Sequence, residues 1–327
     1  MKVWLAGVVV PLGAVCLQPA WAQPLDVAYP SKPIRMIVPL PPGGSVDPTA
    51  RMLAARVGPR LKQQVVVENM PGGSGVIGAE TVARAAADGY TLLFATPTIV
   101  VTGPLINKKV PYQPLRDFDP VSLVVSNPFV IVVPSSLPVN STGDLIALAK
   151  RKPGALMFGT SGEGTPQHIA VEMFMSLAGI EMLHVPYKGA TLALQDLIGG
   201  RLDLMLDQIP SSIGHLRSGR LRALAVTPAK RTPLLAEVPT LAEAGVSGYD
   251  FTAWWMVLAP AKTPPQIIGR LNEELRGAAT DAGFRERLAK VGADPAPALQ
   301  PAAAQAFMVN EIARWAKVVK QANIRIQ

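Results

Sequence analysis

Two glycine-rich segments share one design, and they carry the residues best suited to chemistry. The first runs Pro41-Pro42-Gly43-Gly44-Ser45-Val46-Asp47-Pro48-Thr49. The second runs Gly159-Thr160-Ser161-Gly162-Glu163-Gly164-Thr165-Pro166-Gln167-His168. Each follows a short apolar run, passes through glycines and ends in Asp-Pro or Thr-Pro where helical periodicity begins. Asp47 and Thr165 suit the helix N-cap, and Pro48 and Pro166 suit the first helical position. Glycine lets backbone N–H groups come close to a ligand, and the positive end of a helix attracts an anion. One such loop in each half of the chain predicts a ligand held from both sides. A diacid or any carboxylate would fit, since free amides and a helix end hold an anion without needing an Arg in either loop.

Other loops end at the same strand edges, where ligands of open α/β sheets sit. Thr96-Pro97-Thr98 offers two hydroxyls, and Tyr187-Lys188-Gly189-Ala190-Thr191 contributes Lys188, the one fixed cation among these loops. Asp207 follows an apolar strand and could face the same space. His168 falls at the third position of the second helix, open to either a binding or a structural role. Trp254 and Trp255 are adjacent, so in a strand they point to opposite faces, one to the core and one to the cleft.

Competing chemistries lack their residues. Gly73-Ser74-Gly75-Val76-Ile77-Gly78 has the spacing of a dinucleotide loop, but no acidic residue follows at the required distance, where the chain reads Leu93-Phe94-Ala95-Thr96. The glycines then serve a tight strand-to-helix turn. Gly159-Thr160-Ser161-Gly162-Glu163 fails the nucleophile-elbow pattern at its last position. A hydrolytic reading would rest on Ser161 and His168 alone, without a third orienting group. With three His and one Cys, the 327-residue chain gives little for a metal centre and nothing for a disulfide framework. No enzyme activity, cofactor or metal is expected. The formal charge of +8 comes from scattered Lys and Arg, not from clusters interleaved with aromatics. That pattern favours attraction of small anions over nucleic-acid binding.

The elements that must position these loops alternate. Ile34–Val38, Val65–Glu68 and Thr91–Ala95 read as strands, with helices over Thr49–Leu61 and Gly78–Ala87 between them. This order predicts parallel strands with right-handed crossovers. Val121–Val125 and Phe129–Val133 read as two strands split by Asn127-Pro128. A second α/β unit then alternates helices and strands from Ser141 to Val226. Trp254–Leu258 is a further strand, and helices close the chain, the last over Pro301–Gln321. Two α/β units joined by strands predict two lobes with a cleft between them. A composition 49% hydrophobic and 17% charged supports cores for both.

The first 22 residues read as a secretory signal peptide. Lys2 precedes an apolar run, and Ala20-Trp21-Ala22 fits a small-x-small cleavage site before Gln23. The lone Cys16 would leave with this leader. The run is short for a membrane span, so the mature chain is expected to be soluble in the periplasm.

Several motifs in order then identify a family resemblance. They are Tyr29-Pro30-Ser31-Lys32-Pro33-Ile34-Arg35 with the first loop, Val67-Glu68-Asn69 with Pro71-Gly72-Gly73-Ser74-Gly75, and Asp88-Gly89-Tyr90-Thr91-Leu92. The second loop, Val185-Pro186-Tyr187-Lys188-Gly189 and Val238-Pro239-Thr240-Leu241-Ala242-Glu243-Ala244-Gly245 complete the set. The chain resembles the tripartite tricarboxylate transporter substrate-binding proteins, the Bug receptors, over nearly its whole length from Tyr29. The resemblance implies a two-lobed α/β periplasmic binding protein fold of type II that closes on its ligand like a Venus flytrap. It implies lobe I over residues 29–125 plus 254–327 and lobe II over 126–253. It points to Gly43, Gly44, Ser45, Asp47, Thr96 and Thr98 on one side of the cleft. On the other it points to Thr160, Ser161, Gly164, Thr165 and His168, with Lys188 and Asp207 as weaker members. The implied ligand is a small organic anion: a di- or tricarboxylate, an amino acid or an aromatic acid. The implied partners are the membrane permease subunits of such a transporter, served by a monomeric receptor. A sensor that feeds a signalling partner would use the same lobes.

Overall fold

A short apolar strand followed by an amphipathic helix recurs through the first hundred residues, and it builds a parallel sheet edge. In a computed structural model, which describes residues 29–42, 46–290, 293–297 and 299–321, β1 (Ile34–Val38) leads to α1 (Val46–Leu61) and β2 (Val65–Asn69). After them come α2 (Val76–Ala83) and β3 (Thr91–Ala95). β1 pairs in parallel with β2, Ile34 opposite Val65, and with β3, Arg35 opposite Thr91. The leader, together with Gly43, Gly44 and Ser45 of the first loop, lies outside the described residues. α1 starts at Val46, one residue before Asp47, so Asp47 sits inside the first turn and not at the N-cap. Its carboxylate meets Arg51 one turn on, at 3.0 Å.

Beyond β3, Thr98–Thr102 forms one π-helical turn, followed by the short helices α3 (Gly103–Ile106) and α4 (Pro114–Asp117). The two strands expected around Asn127-Pro128 are a single strand, β4 (Phe118–Pro134). Up to Pro128 it pairs with β9 (Thr252–Pro260), Pro128 standing opposite Thr252. From Phe129 onward it pairs with β7 (Leu204–Gln208) and β8 (Leu221–Val226). Proline has no N–H to give a ladder, and here it occupies the residue at which the partner changes, so the strand runs on.

The second unit comprises α5 (Thr142–Arg151), β5 (Met157–Thr160), α6 (Pro166–Ala178), β6 (Leu183–Pro186), α7 (Ala190–Ile198), β7, α8 (Ile209–Arg217) and β8. The main path through the sheet is β2-β1-β3-β9-β4-β7-β5-β6, with β8 paired to β4 off this path. β4 and β9 therefore carry the chain between two α/β halves. The tail returns through α9 (Pro265–Ala279), α10 (Ala282–Lys290), β10 (Asp294–Pro295) and α11 (Pro301–Gln321).

Each half has its own core. Ile34, Met36, Leu53, Phe94, Val257, Leu271 and Phe284 fill the first against α1 and α9. Val130, Met205, Leu197 and Val226 belong to the second. A third cluster joins the halves, with Phe158 and Phe174 from the second unit packed with Leu93, Phe251, Met308 and Trp315. α11 delivers this bridge by packing on both β4 and α6. Glu311 anchors it by accepting hydrogen bonds from the indole N–H of Trp254 at 2.9 Å and of Trp315 at 3.1 Å. Among the described residues, no helix is long and apolar enough to cross a membrane.

Candidate functional site

A cleft of about 700 Å³ opens where the two halves face each other over β4 and β9. Its floor follows the two-residue period of those strands, with Asn127 and Phe129 from β4 and Ala253 and Trp255 from β9. Trp255 thus faces the cleft, while Trp254 turns the other way to Glu311. From the first half come Leu40, Val46, Ser74, Val76, Thr96 and Thr98 and the π-turn residue Thr102. From the second half come Ser161, Glu163, Gly164 and Thr165, then the starts of α6, α7 and α8.

Those three helices share a local feature. None has a side chain hydrogen-bonded to its first-turn amides: the residue before α6 is Thr165, before α7 Gly189 and before α8 Gln208. Thr165 has the right type for a cap, but its hydroxyl donates to Gly162 O at 2.8 Å. The first-turn amides of a helix have no partners within the helix, and its N-terminus carries about half a positive charge. Thr165–Gln167, Ala190–Thr191, Gln208 and Ser211 all line the cleft. One wall therefore presents several helix N-termini with their caps unused. Hydroxyls of Ser74, Thr96, Thr98, Ser161 and Thr191 also line the space, and among the described residues none of these side chains has a hydrogen-bond partner. Among the described residues the lining contains no Lys, Arg or His, and its acidic members are Glu163 and Asp207. This arrangement can hold an anion by oriented amides and hydroxyls, without a countercharge.

The acidic member is restrained. Asp207 is fully buried, and burial pushes its carboxyl pKa up, against the opposing pull of Ser211 and Ser212. Ser212 Oγ donates to Oδ2 at 2.7 Å and Gln167 Nε2 donates to Oδ1 at 3.2 Å. Gln167 also accepts the Ser161 N–H through Oε1 at 2.9 Å. Gln167 thus ties the second glycine loop to the start of α8, and it takes the Ser161 amide out of the supply of free donors.

Six of the sequence-predicted residues therefore line one space: Thr96, Thr98, Ser161, Gly164, Thr165 and Asp207. Four others are placed outside the lining. Asp47 is engaged by Arg51. Thr160 is buried behind the loop, its Oγ1 2.7 Å from His184 Nε2. His168 accepts the Gly164 N–H on Nδ1 at 3.1 Å, and its Nε2 lies 3.4 Å from Glu172. Its ring stacks on His184 at 3.9 Å, which stacks on Phe158 at 4.9 Å. Both ring nitrogens of His168 are thereby engaged away from Ser161, so the pair a hydrolase would need is not assembled. Desolvation, with His168 alongside, pushes the His184 pKa down to about 4. Lys188 is exposed because β6 and the following turn lie at the sheet edge. Among the described residues, no cluster of His, Cys, Asp and Glu could hold a metal ion.

Several lining residues escaped the sequence reading. Asn127, Phe129, Tyr112, Ile106 and Thr102 stand far from either glycine loop in the chain. Only the strand read over Phe129–Val133 carries a trace of them, and Asn127 falls in the expected break between two strands. The G-x-G-x-x-G segment performs the structural role expected of it: a Cβ on Gly78 would lie 2.8 Å from Met70 O and 2.9 Å from Pro39 Cβ. Its first residues, Gly73 and Ser74, nonetheless reach the cleft.

Comparison with known proteins agrees with this geometry. The model of the tripartite tricarboxylate transporter family receptor matches residues 49–324. Protein BugT of Bordetella pertussis is 39% identical over 300 residues, spanning 91% of this chain and 92% of its own length. The structure of R. palustris Rpa4515 with adipate is 40% identical with a TM-score of 0.79, covering 91% of this chain and 99% of that one. MatC from Rhodopseudomonas palustris with bound malate is 30% identical with a TM-score of 0.75, covering 89% and 100%. With its two α/β halves facing each other across a cleft lined by helix N-termini, the chain belongs to the tripartite tricarboxylate transporter receptors, the Bug family of periplasmic solute-binding proteins.

Proposed function

We propose that this protein captures a small organic carboxylate in the cleft and presents it, in the periplasm, to the membrane subunits of a tripartite tricarboxylate-type transporter. The observation that carries the reading is the set of helix N-termini at α6, α7 and α8 without a side-chain cap, opening on one cavity whose lining, among the described residues, holds no Lys, Arg or His. The ligand carboxylate completes the caps, and the hydroxyls of Thr96, Thr98, Ser161 and Thr191 orient it. The solved relatives with adipate and malate support a dicarboxylate-sized ligand. Gly43, Gly44 and Ser45 belong to the same proposal, since Leu40 and Val46 on either side of them line the cleft.

The receptor works as a monomer after loss of residues 1–22. Lobe I comprises residues 29–125 and the return from 254, and lobe II comprises 126–253. The crossings of β4 and β9 act as the hinge, and a ligand that touches both lobes shifts the population toward the closed form. The test uses the chain from Gln23 in a thermal-shift panel of mono-, di- and tricarboxylates, amino acids and aromatic acids. Ligand at about a hundred times its Kd stabilises the fold by roughly 2.7 kcal/mol, a rise of several degrees. No rise with any acid would refute the reading.

A further inference from the structure

Asn127 is out of place by every local rule except one. It sits in the middle of β4, where the surrounding buried positions Val124, Val125, Phe129, Val130 and Ile131 are apolar. Asparagine is depleted in strands, and this one is 2% exposed. Among the described residues its carboxamide has no hydrogen-bond partner, and its polar atoms are left to whatever fills the cleft. It lines the cleft on the same strand face as Phe129, with Trp255 beside them from β9. A donor and an acceptor thus lie unused on an apolar floor. The helix N-termini that suit a carboxylate belong to the wall of α6, α7 and α8.

We infer that Asn127 is a specificity-determining residue that reads an uncharged polar substituent, a hydroxyl or carbonyl, on the carbon skeleton of the carboxylate ligand. This inference rests on the carboxylate reading above and narrows its substrate class to hydroxy or oxo acids. A carboxamide matches a hydroxyl in either direction and a carbonyl through Nδ2. Phe129 and Trp255 meanwhile cover the apolar part of the skeleton. A ligand without the substituent leaves the carboxamide unpaired in a closed, dry cleft, and sites built to hydrogen-bond a substituent discriminate strongly against its absence.

The experiment measures Kd by calorimetry for three matched pairs: hexanoate and 3-hydroxyhexanoate, glutarate and 3-hydroxyglutarate, benzoate and 3-hydroxybenzoate. In the pair that binds, the hydroxy acid is expected to bind at least about tenfold tighter, as two well-formed hydrogen bonds to an otherwise unpaired amide would give. In Asn127→Leu that preference falls to about onefold, while the affinity for the unsubstituted acid is kept or rises. Retained binding of the unsubstituted acid shows that the variant is folded, and Asn127→Gln serves as a second variant that keeps the amide. Equal affinities within a pair that binds, or a preference that survives Asn127→Leu, would overturn the inference and leave the carboxylate reading standing. An equal loss for both members of a pair would also overturn it, because Asn127 would then serve the common carboxylate or the fold. Absence of binding by all six acids would overturn the inference, while the carboxylate reading would fall only if the wider thermal-shift panel also gave no rise.

Discussion

Gly164→Ala should separate the cost of folding from the cost of closing the cleft. Gly164 lies in the second glycine loop with φ of +67°, and a Cβ there would overlap Ile106 Cδ1 of the first half. Alanine in this left-handed region costs roughly 1–2 kcal/mol. That strain is present whether the halves are apart or together, so it lowers stability and cancels from binding. On the proposed closure, the overlap with Ile106 is made as the halves approach. Turning Ile106 away from its preferred rotamer relieves it for about 0.5–1.5 kcal/mol. The dissociation constant of a bound carboxylate should then rise about 2- to 10-fold, while the melting temperature falls by roughly 2–8 °C. Calorimetry on Gly164→Ala, Ile106→Ala and the double variant tests the division. In the Ile106→Ala background, adding Gly164→Ala should leave affinity unchanged yet still lower the melting temperature. An unchanged affinity in the single Gly164→Ala variant, or no rescue in the double variant, would refute the contact as a closure contact.

Three further outcomes follow from buried polar groups. Among the described residues the buried Thr102 hydroxyl has no partner, so Thr102→Val should gain about 1 kcal/mol and raise the melting temperature by about 2–4 °C; a lower value would show that the hydroxyl has a structural bond. Burial lowers the His184 pKa from 6.5 to about 4, so between those values the unfolded chain binds the extra proton. The His184 contribution is complete above pH 6.5 and is lost as pH falls toward 4, and His184→Gln should show a smaller loss of stability over that window in urea titrations. Glu311→Ala strands the buried indole N–H groups of Trp254 and Trp315, and it should cost about 2–4 kcal/mol of unfolding free energy; a loss below about 1 kcal/mol would mean that α11 is held by packing alone.

How much was legible depended on how local each cause is. Pro166–Ala178, Thr91–Ala95, Leu221–Val226 and Pro301–Gln321 could be bounded from sequence to the residue, because proline, glycine and hydrophobic period act within a few residues. The π-turn at Thr98–Thr102 carried no such mark, since nothing in Thr-Ile-Val-Val-Thr distinguishes it from a strand or loop. Asp47 shows the opposite failure: its type and the following proline signal an N-cap, but an ion pair to Arg51 and a helix start at Val46 override it. Thr160 and His168 belong to the glycine loop whose Ser161, Gly164 and Thr165 line the cleft, and yet their side chains turn back into the His184 stack. Position along a loop says where the backbone goes; it does not say which face of the loop meets the ligand.

The sequence by itself determined the alternation of strands and helices, the second glycine-rich turn with its helix start at Pro166, and the family. These follow from backbone preferences, spacing and motif order, all of which are written along the chain. Only the tertiary structure decided which helix starts share one cleft, that β4 runs unbroken through Pro128, and that Asn127, Phe129 and Trp255 pave the floor. The physical reason is distance. Val125 pairs with Trp255 across more than a hundred residues, and such contacts are fixed by the strand partners available in the folded sheet.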